Sequence, residues 1–160
     1  KNHMHLKAGQ PAPVFSLPDA DMKTVDLASF VGKRWVVLFF YPKDGNPACT
    51  QQATDFSDLE EVFDRENCVL LGVSRDDCLT HAEFRDREGI GISLLSDPEA
   101  AVCKLYGVWQ PKEVDGHKKY CVARSTFIID KAGLIRHALY HVNYKGHAQE
   151  VLRLVKELNV

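Results

Sequence analysis

The chain of 160 residues has no uninterrupted apolar run approaching the ~20 residues that span a bilayer. The longest run, Trp35 to Tyr41, has the length of a buried strand. Charge of neither sign is in excess. The net charge of −2 gives no reason for a nucleic acid or an anionic membrane surface to bind. There is no Cys-x-x-Cys pair, which disfavours a zinc knuckle or a thioredoxin-type dithiol. The five cysteines, at 49, 68, 78, 103 and 121, are odd in number and scattered, unlike a secreted disulfide framework. Repeats, low-complexity tracts and linkers are also missing. The N-terminal Lys1-Asn2-His3-Met4-His5 carries no apolar signal-peptide core. These absences lead to the expectation of one domain over residues 6–160, long enough to bury a core and located in the cytoplasm. Residues 1–5 are expected to be a flexible or appended terminus.

What is present is a regular alternation of strand and helix signals. Val14 to Pro18 and Thr24 to Leu27 read as short extended pieces. Arg34 to Tyr41 and Cys68 to Ser74 are rich in β-branched and aromatic residues without alternation, as in strands covered on both faces. Ala53, Phe56, Leu59 and Phe63 repeat at helical spacing after Asn46-Pro47, a good N-cap followed by a good first helical residue. Asp76 or Asp77 caps a helix that stops before Gly89, and Asp97-Pro98 opens one that ends at Gly107. Ser93 to Leu95, Val122 to Asp130 and Leu134 to Tyr140 are further strands, and a last helix follows Gly146. Strands alternating with helices, then a hairpin and a closing helix, predict an α/β sheet covered on both sides.

In this register Cys49 is the third helical residue. The N–H groups of a first helical turn have no intrahelical partner and, with the helix dipole, favour a negative charge. A thiolate is the nucleophilic form of cysteine. The helix terminus contributes only ~0.3–2 kcal/mol, so a cation is expected nearby as well. If the electrophile is a peroxide, attack on one oxygen expels the other as an anion, and fixed donors must face that charge. First-turn amides can serve, and so can an arginine. Arg124, inside the otherwise apolar Cys121 to Ile129 segment, needs an anion or carries a desolvation cost. The same residue could instead sit at a strand end in solvent, or pair with Asp130.

The segment Tyr41-Pro42-Lys43-Asp44-Gly45-Asn46-Pro47-Ala48-Cys49-Thr50 resembles the peroxidatic segment of peroxiredoxins, Pro-x-x-x-Thr/Ser-x-x-Cys. Gly72 to Asp76, Leu94 to Asp97 and Arg124 to Asp130 extend the likeness in order along the chain, which is most similar to the bacterioferritin comigratory protein, or peroxiredoxin Q, subfamily. The resemblance implies a thioredoxin-like fold with peroxiredoxin additions. It implies a thiol-dependent peroxidase in which Cys49 becomes a sulfenic acid, Pro42 shields it, and Arg124 polarises thiolate and peroxide. The substrate would be hydrogen peroxide or an organic hydroperoxide. Reduction would come from thioredoxin or another external thiol. No metal or organic cofactor is implied, and members are often monomers.

Two positions depart from the family pattern. Asn46 replaces the Thr or Ser whose hydroxyl bonds the thiolate and the peroxide; it keeps the capping oxygen and has an N–H₂ donor. Activity is expected to survive but to be slower. The resolving cysteine is absent from both usual places, which hold Thr54 and Arg85. Cys78, about two helical turns from Arg85 on nearly the same face, is the foremost internal candidate. A route without an internal resolver is the leading expectation. Cys68 and Cys103 read as packing residues, and Cys121 as facing away from Arg124 by strand alternation.

Other constellations give weaker readings. His137, His141 and His147 straddle a strand end and a loop without recognised metal-ligand spacing. A Cys49–His pair for acyl transfer, with His81 or His117 as base, lacks an identifiable third group. The stretch Lys112 to Lys119 near Trp109 reads as an exposed turn. The alternative to a peroxidase is a redox sensor or binding module on the same fold, without sustained turnover.

Overall fold

The computed structural model describes residues 5–160. The expectation for residues 1–4, His3 included, lies outside the described residues. His5 stacks on the ring of Tyr140, with centroids 4.1 Å apart.

Strands β1 (Ser16–Pro18) and β2 (Thr24–Asp26) form a small antiparallel ribbon, followed by a 3-10 turn at Leu27–Phe30. Strand β3 (Trp35–Phe40) comes next, and all six of its residues are buried, as its unbroken apolar run predicts. Helices α1 (Pro47–Asp58) and α2 (Glu60–Arg65) lead to β4 (Cys68–Ser74), α3 (Cys78–Glu88), β5 (Ser93–Ser96) and α4 (Ala101–Leu105). The hairpin β6 (Trp109–Val114) and β7 (His117–Val122) precedes β8 (Ser125–Ile129), β9 (Ile135–Leu139) and α5 (His147–Leu158). The main sheet has the order β5-β4-β3-β8-β9. Strands β3, β4 and β5 are parallel, and β8 and β9 are antiparallel to their neighbours. This is the mixed sheet with flanking helices that the alternation predicted.

Strand β3 divides the core in two. Val36, Leu38 and Phe40 point to one face, against Tyr106, Phe127 and the N-terminal segment. Val37 and Phe39 point to the other, which packs Phe56, Phe63, Phe84, Val151 and Val155 from helices and the helix-flanking segments. Each such side chain contributes roughly 1.5–3 kcal/mol on full burial. Gly72 of β4 is required by this packing, because a Cβ there would meet Cζ of its cross-strand partner Phe39 at 2.7 Å. Phe39 in turn stacks on Phe56, with centroids 4.5 Å apart, which seats α1 on the sheet.

Three local expectations are corrected. The helix read from Asn46 through Phe63 is divided at Leu59 into α1 and α2. The Lys112 to Lys119 stretch is not a plain turn but the hairpin β6–β7, closed by Asp115-Gly116, both at positive φ. That dipeptide is a two-residue hairpin signal present in the sequence. The strand read from Val122 to Asp130 is interrupted at Ala123 and Arg124, which lie between β7 and β8. Among the described residues no helix is long and apolar enough to cross a membrane.

Candidate active site

The first turn of α1 is organised by Asn46. Its backbone is extended, and its Oδ1 accepts from the N–H of Ala48 at 2.9 Å and of Cys49 at 3.2 Å. Its carbonyl accepts from the N–H of Thr50 at 2.8 Å. Pro47 has no N–H to place. Cys49 is therefore the third helical residue, as predicted. The expectation that first-turn amides are free to face the sulfur is corrected: each of these three N–H groups is bonded to Asn46. A carboxamide oxygen at an N-cap has the reach to accept from two consecutive amides, and here it does so.

One stripe of α1 faces the sheet. Cys49, Gln52, Ala53 and Phe56 recur at three- and four-residue spacing and are all buried. Cys49 itself has 0% exposure. Arg124, brought in from the break between β7 and β8, points its Nη2 at Cys49 Sγ from 3.4 Å. Its Nη1 donates to Gln52 Oε1. Its backbone is fixed by the N–H of Val142, which donates to the Arg124 carbonyl at 2.9 Å, and its guanidinium lies 5.9 Å from the Tyr144 ring centroid. The alternative pairing with Asp130 does not occur. Asp130 instead lies 3.6 Å from Arg136 and bonds the amides of its own turn.

Gln52 was not singled out in the sequence, although its place three residues after Cys49 puts it on the same helical face. It holds Arg124 through Oε1 while its Nε2 is buried without a partner. His147, at the start of α5, shares a 2.8 Å hydrogen bond with Thr126 Oγ1 of β8. Burial and then the charge of Arg124 push the His147 imidazole down to about 4, so the ring is neutral near neutral pH. A second positive charge beside the guanidinium is thereby avoided.

Pro42 is exposed and, with Arg124, Cys121, Pro111 and His141, lines a cleft of about 440 Å³. Cys121 and Arg124 both line this cleft. Between them the chain leaves β7 after Val122 and joins a different sheet at Ser125. Cys68 and Cys103 are buried, as packing residues should be. Burial raises the Cys68 thiol to about 12. Burial and the neighbouring Asp97 carboxylate push Cys103 upward as well. Cys78 is half-buried at the first position of α3. Neither histidine considered as an acyl-transfer base lies against Cys49 in its bonding: His81 is bound to Asp44 and the Leu95 carbonyl, and His117 is exposed on the hairpin.

The AhpC/TSA family model matches residues 8–138. The chain is 40% identical over 147 residues to a putative peroxiredoxin bcp of Helicobacter pylori, covering 92% of this chain and 96% of that one. It is 38% identical over 152 residues to peroxiredoxin Bcp of Escherichia coli, covering 95% and 97%. The fold superimposes with a TM-score of 0.90 on the bacterioferritin comigratory protein of Xanthomonas campestris, at 31% identity and covering 96% and 99% of the two chains; that structure bears on alkyl peroxide reduction. The chain belongs to the AhpC/TSA family, among the Bcp/peroxiredoxin Q peroxiredoxins, thiol-dependent peroxidases that take a hydroperoxide and a thiol as co-substrates.

Proposed function

We propose that Cys49 is the peroxidatic nucleophile of this peroxiredoxin, with Arg124, Pro42 and Asn46 as its site partners. The observation that carries this is the 3.4 Å approach of a guanidinium to a sulfur that has no solvent exposure and sits at the start of a helix. The Cys49 thiolate attacks the terminal oxygen of ROOH. A sulfur–oxygen bond forms, the oxygen–oxygen bond breaks, and RO⁻ leaves to be protonated as ROH. Arg124 stabilises the thiolate and the oxygen that gains charge. Gln52 holds Arg124 in place, Pro42 limits water at the cleft, and Asn46 keeps the first turn wound.

The resulting sulfenic acid is reduced by two thiols. The first displaces water and forms a mixed disulfide; the second releases the Cys49 thiol and carries away the disulfide. Thioredoxin or another external dithiol supplies both. Cys78 is the internal alternative for the first step. Cys49, Gln52 and Arg124 come from one chain, so a monomer suffices, and a reducing compartment such as the cytoplasm suits five free thiols.

The test is a coupled assay with hydrogen peroxide and either dithiothreitol or thioredoxin. Cys49→Ser is expected to abolish turnover. Full turnover by that variant overturns the assignment. Oxidation of Cys49 without repeated turnover supports the redox-sensor alternative instead.

A further inference from the structure

Cys49 Sγ is enclosed, yet its sulfenic acid must be met by the sulfur of a second, bulkier thiol. The loop from Pro42 to Asn46 and the first turn of α1 therefore have to move between the peroxide step and the reducing step. In that loop Pro42, Lys43, Gly45 and Asn46 are exposed, and only Asp44 is buried.

Asp44 is tied on every side. Its Oδ2 lies 2.6 Å from His81 Nδ1, and the two side chains are 2% and 0% exposed. Its Oδ1 accepts from the Tyr41 hydroxyl at 2.7 Å. Its backbone N–H donates to Asp76 Oδ2 at 2.8 Å, which also accepts from the Ser74 hydroxyl at 2.6 Å. His81 Nε2 lies 2.9 Å from the Leu95 carbonyl. A carbonyl only accepts, so Nε2 carries a proton, and a further proton lies between Nδ1 and Oδ2. Asp44, Asp76 and His81 resemble a cation cage in composition, with ligand atoms within 4.8 Å of one another. Hydrogen-bond donors already engage both Asp44 oxygens and the Asp76 oxygen that faces them.

These bonds join the loop to Tyr41, the residue that follows β3, to α3 through His81 and to β5 through Leu95. Asp44 stands two residues before the Asn46 cap that receives the Cys49 amide. We propose that the buried Asp44–His81 pair is the latch that holds the loop and the first turn of α1 closed, and so sets the balance between the peroxide-reactive and the reducible forms of Cys49. Both are positioning residues, since neither touches the sulfur. The proposal rests on Cys49 being the reacting sulfur.

Two variants test it. Asp44→Asn keeps the shape and removes the charge. Tyr41→Phe removes only the hydroxyl, and remains available if the first variant does not fold. In the reduced, folded protein, iodoacetamide labelling of Cys49 and amide hydrogen exchange at residues 48–52 measure opening. Losing one hydrogen bond should accelerate both by about threefold to tenfold. In single-turnover experiments the peroxide step should slow while reduction of the sulfenic acid by dithiothreitol quickens. Unchanged labelling and exchange overturn the proposal, as does an equal fall in both chemical steps, the mark of a merely structural defect. Labelling and exchange need no turnover. A peroxidase-active Cys49→Ser chain would thus remove the site assignment without altering what these two measurements say about the loop.

Discussion

Arg124 Nη2 lies 3.4 Å from Cys49 Sγ although 75 positions separate the two residues in the chain. The approach depends on the break between β7 and β8, which releases Arg124 from strand geometry, and on Gln52, which takes the other arm of the guanidinium. The planar fork gives one nitrogen to the carboxamide and another to the sulfur, whereas an ammonium has a single nitrogen for both. Arg124→Lys and Arg124→Leu are therefore both expected to slow peroxide consumption by about 10²–10³-fold, the usual consequence of losing one donor to a developing anion. Stopped-flow rates at saturating reductant check this. A lysine variant within a few fold of the parent would contradict it.

Asn46 gives a second prediction. Its oxygen is occupied by the Ala48 and Cys49 amides, so only its N–H₂ can meet a substrate oxygen. Threonine retains a capping oxygen and adds the hydroxyl of the family pattern. Asn46→Thr should leave stability within about 0.5 kcal/mol and raise the rate of hydroperoxide consumption. A clear loss of rate would contradict the assignment of Asn46 as a slower substitute. Asn46→Ala, which removes the cap, should cost about 1 kcal/mol in urea unfolding.

The legibility of the site in the sequence follows from how local each part is. Cys49 and Asn46 were readable because an N-cap, a proline and a helical stripe are short-range signals. The buried runs of β3 and β4 were readable from length and β-branching. Arg124 stood out as a charge in an apolar segment, but its partner did not, since Gln52 and Asp130 compete only in three dimensions. Alternation cannot relate Cys121 to Arg124, because the two stand on either side of a break that depends on which sheet each half joins. The Asp44–His81 pair had no local signal at all, for residues 37 positions apart meet only when loop and helix are packed.

His147 supplies a pH prediction. Its folded value of about 4 lies below the ordinary histidine value, because burial and Arg124 disfavour the cation. As pH falls from ~6.5, the unfolded chain takes up this proton before the folded one, so stability is full above that pH and declines until about 4. The gap caps the contribution at about 3 kcal/mol. His147→Gln should lose this part of the pH dependence. The difference in unfolding free energy between the two proteins, measured by urea at pH 7, 5.5 and 4.5, should shrink as the pH falls. A constant difference would contradict it.

The distribution of the cysteines leads to the last prediction. A thiol raised to about 12, as at Cys68, is ionised in only about one molecule in 10⁵ at pH 7, and Cys103 is pushed in the same direction. Exposure does not separate them from Cys49, which is buried too; the Arg124 guanidinium 3.4 Å from Cys49 Sγ does. One equivalent of hydrogen peroxide without reductant should therefore oxidise Cys49 first and leave Cys68 and Cys103 as free thiols, recovered by alkylation after unfolding and located by peptide mapping. Cys78 and Cys121 are half-buried and can be reached, so the same map decides how the sulfenic acid is resolved. A persistent sulfenate or its over-oxidised forms at Cys49, with four free thiols, is the expected outcome and marks the external route. A Cys49–Cys78 disulfide would instead require the start of α1 to unwind toward α3, and would assign the first reducing step to this chain. Oxidation at Cys68 or Cys103 ahead of Cys49 would contradict the choice of nucleophile, because it would place reactivity at sulfurs that burial keeps protonated.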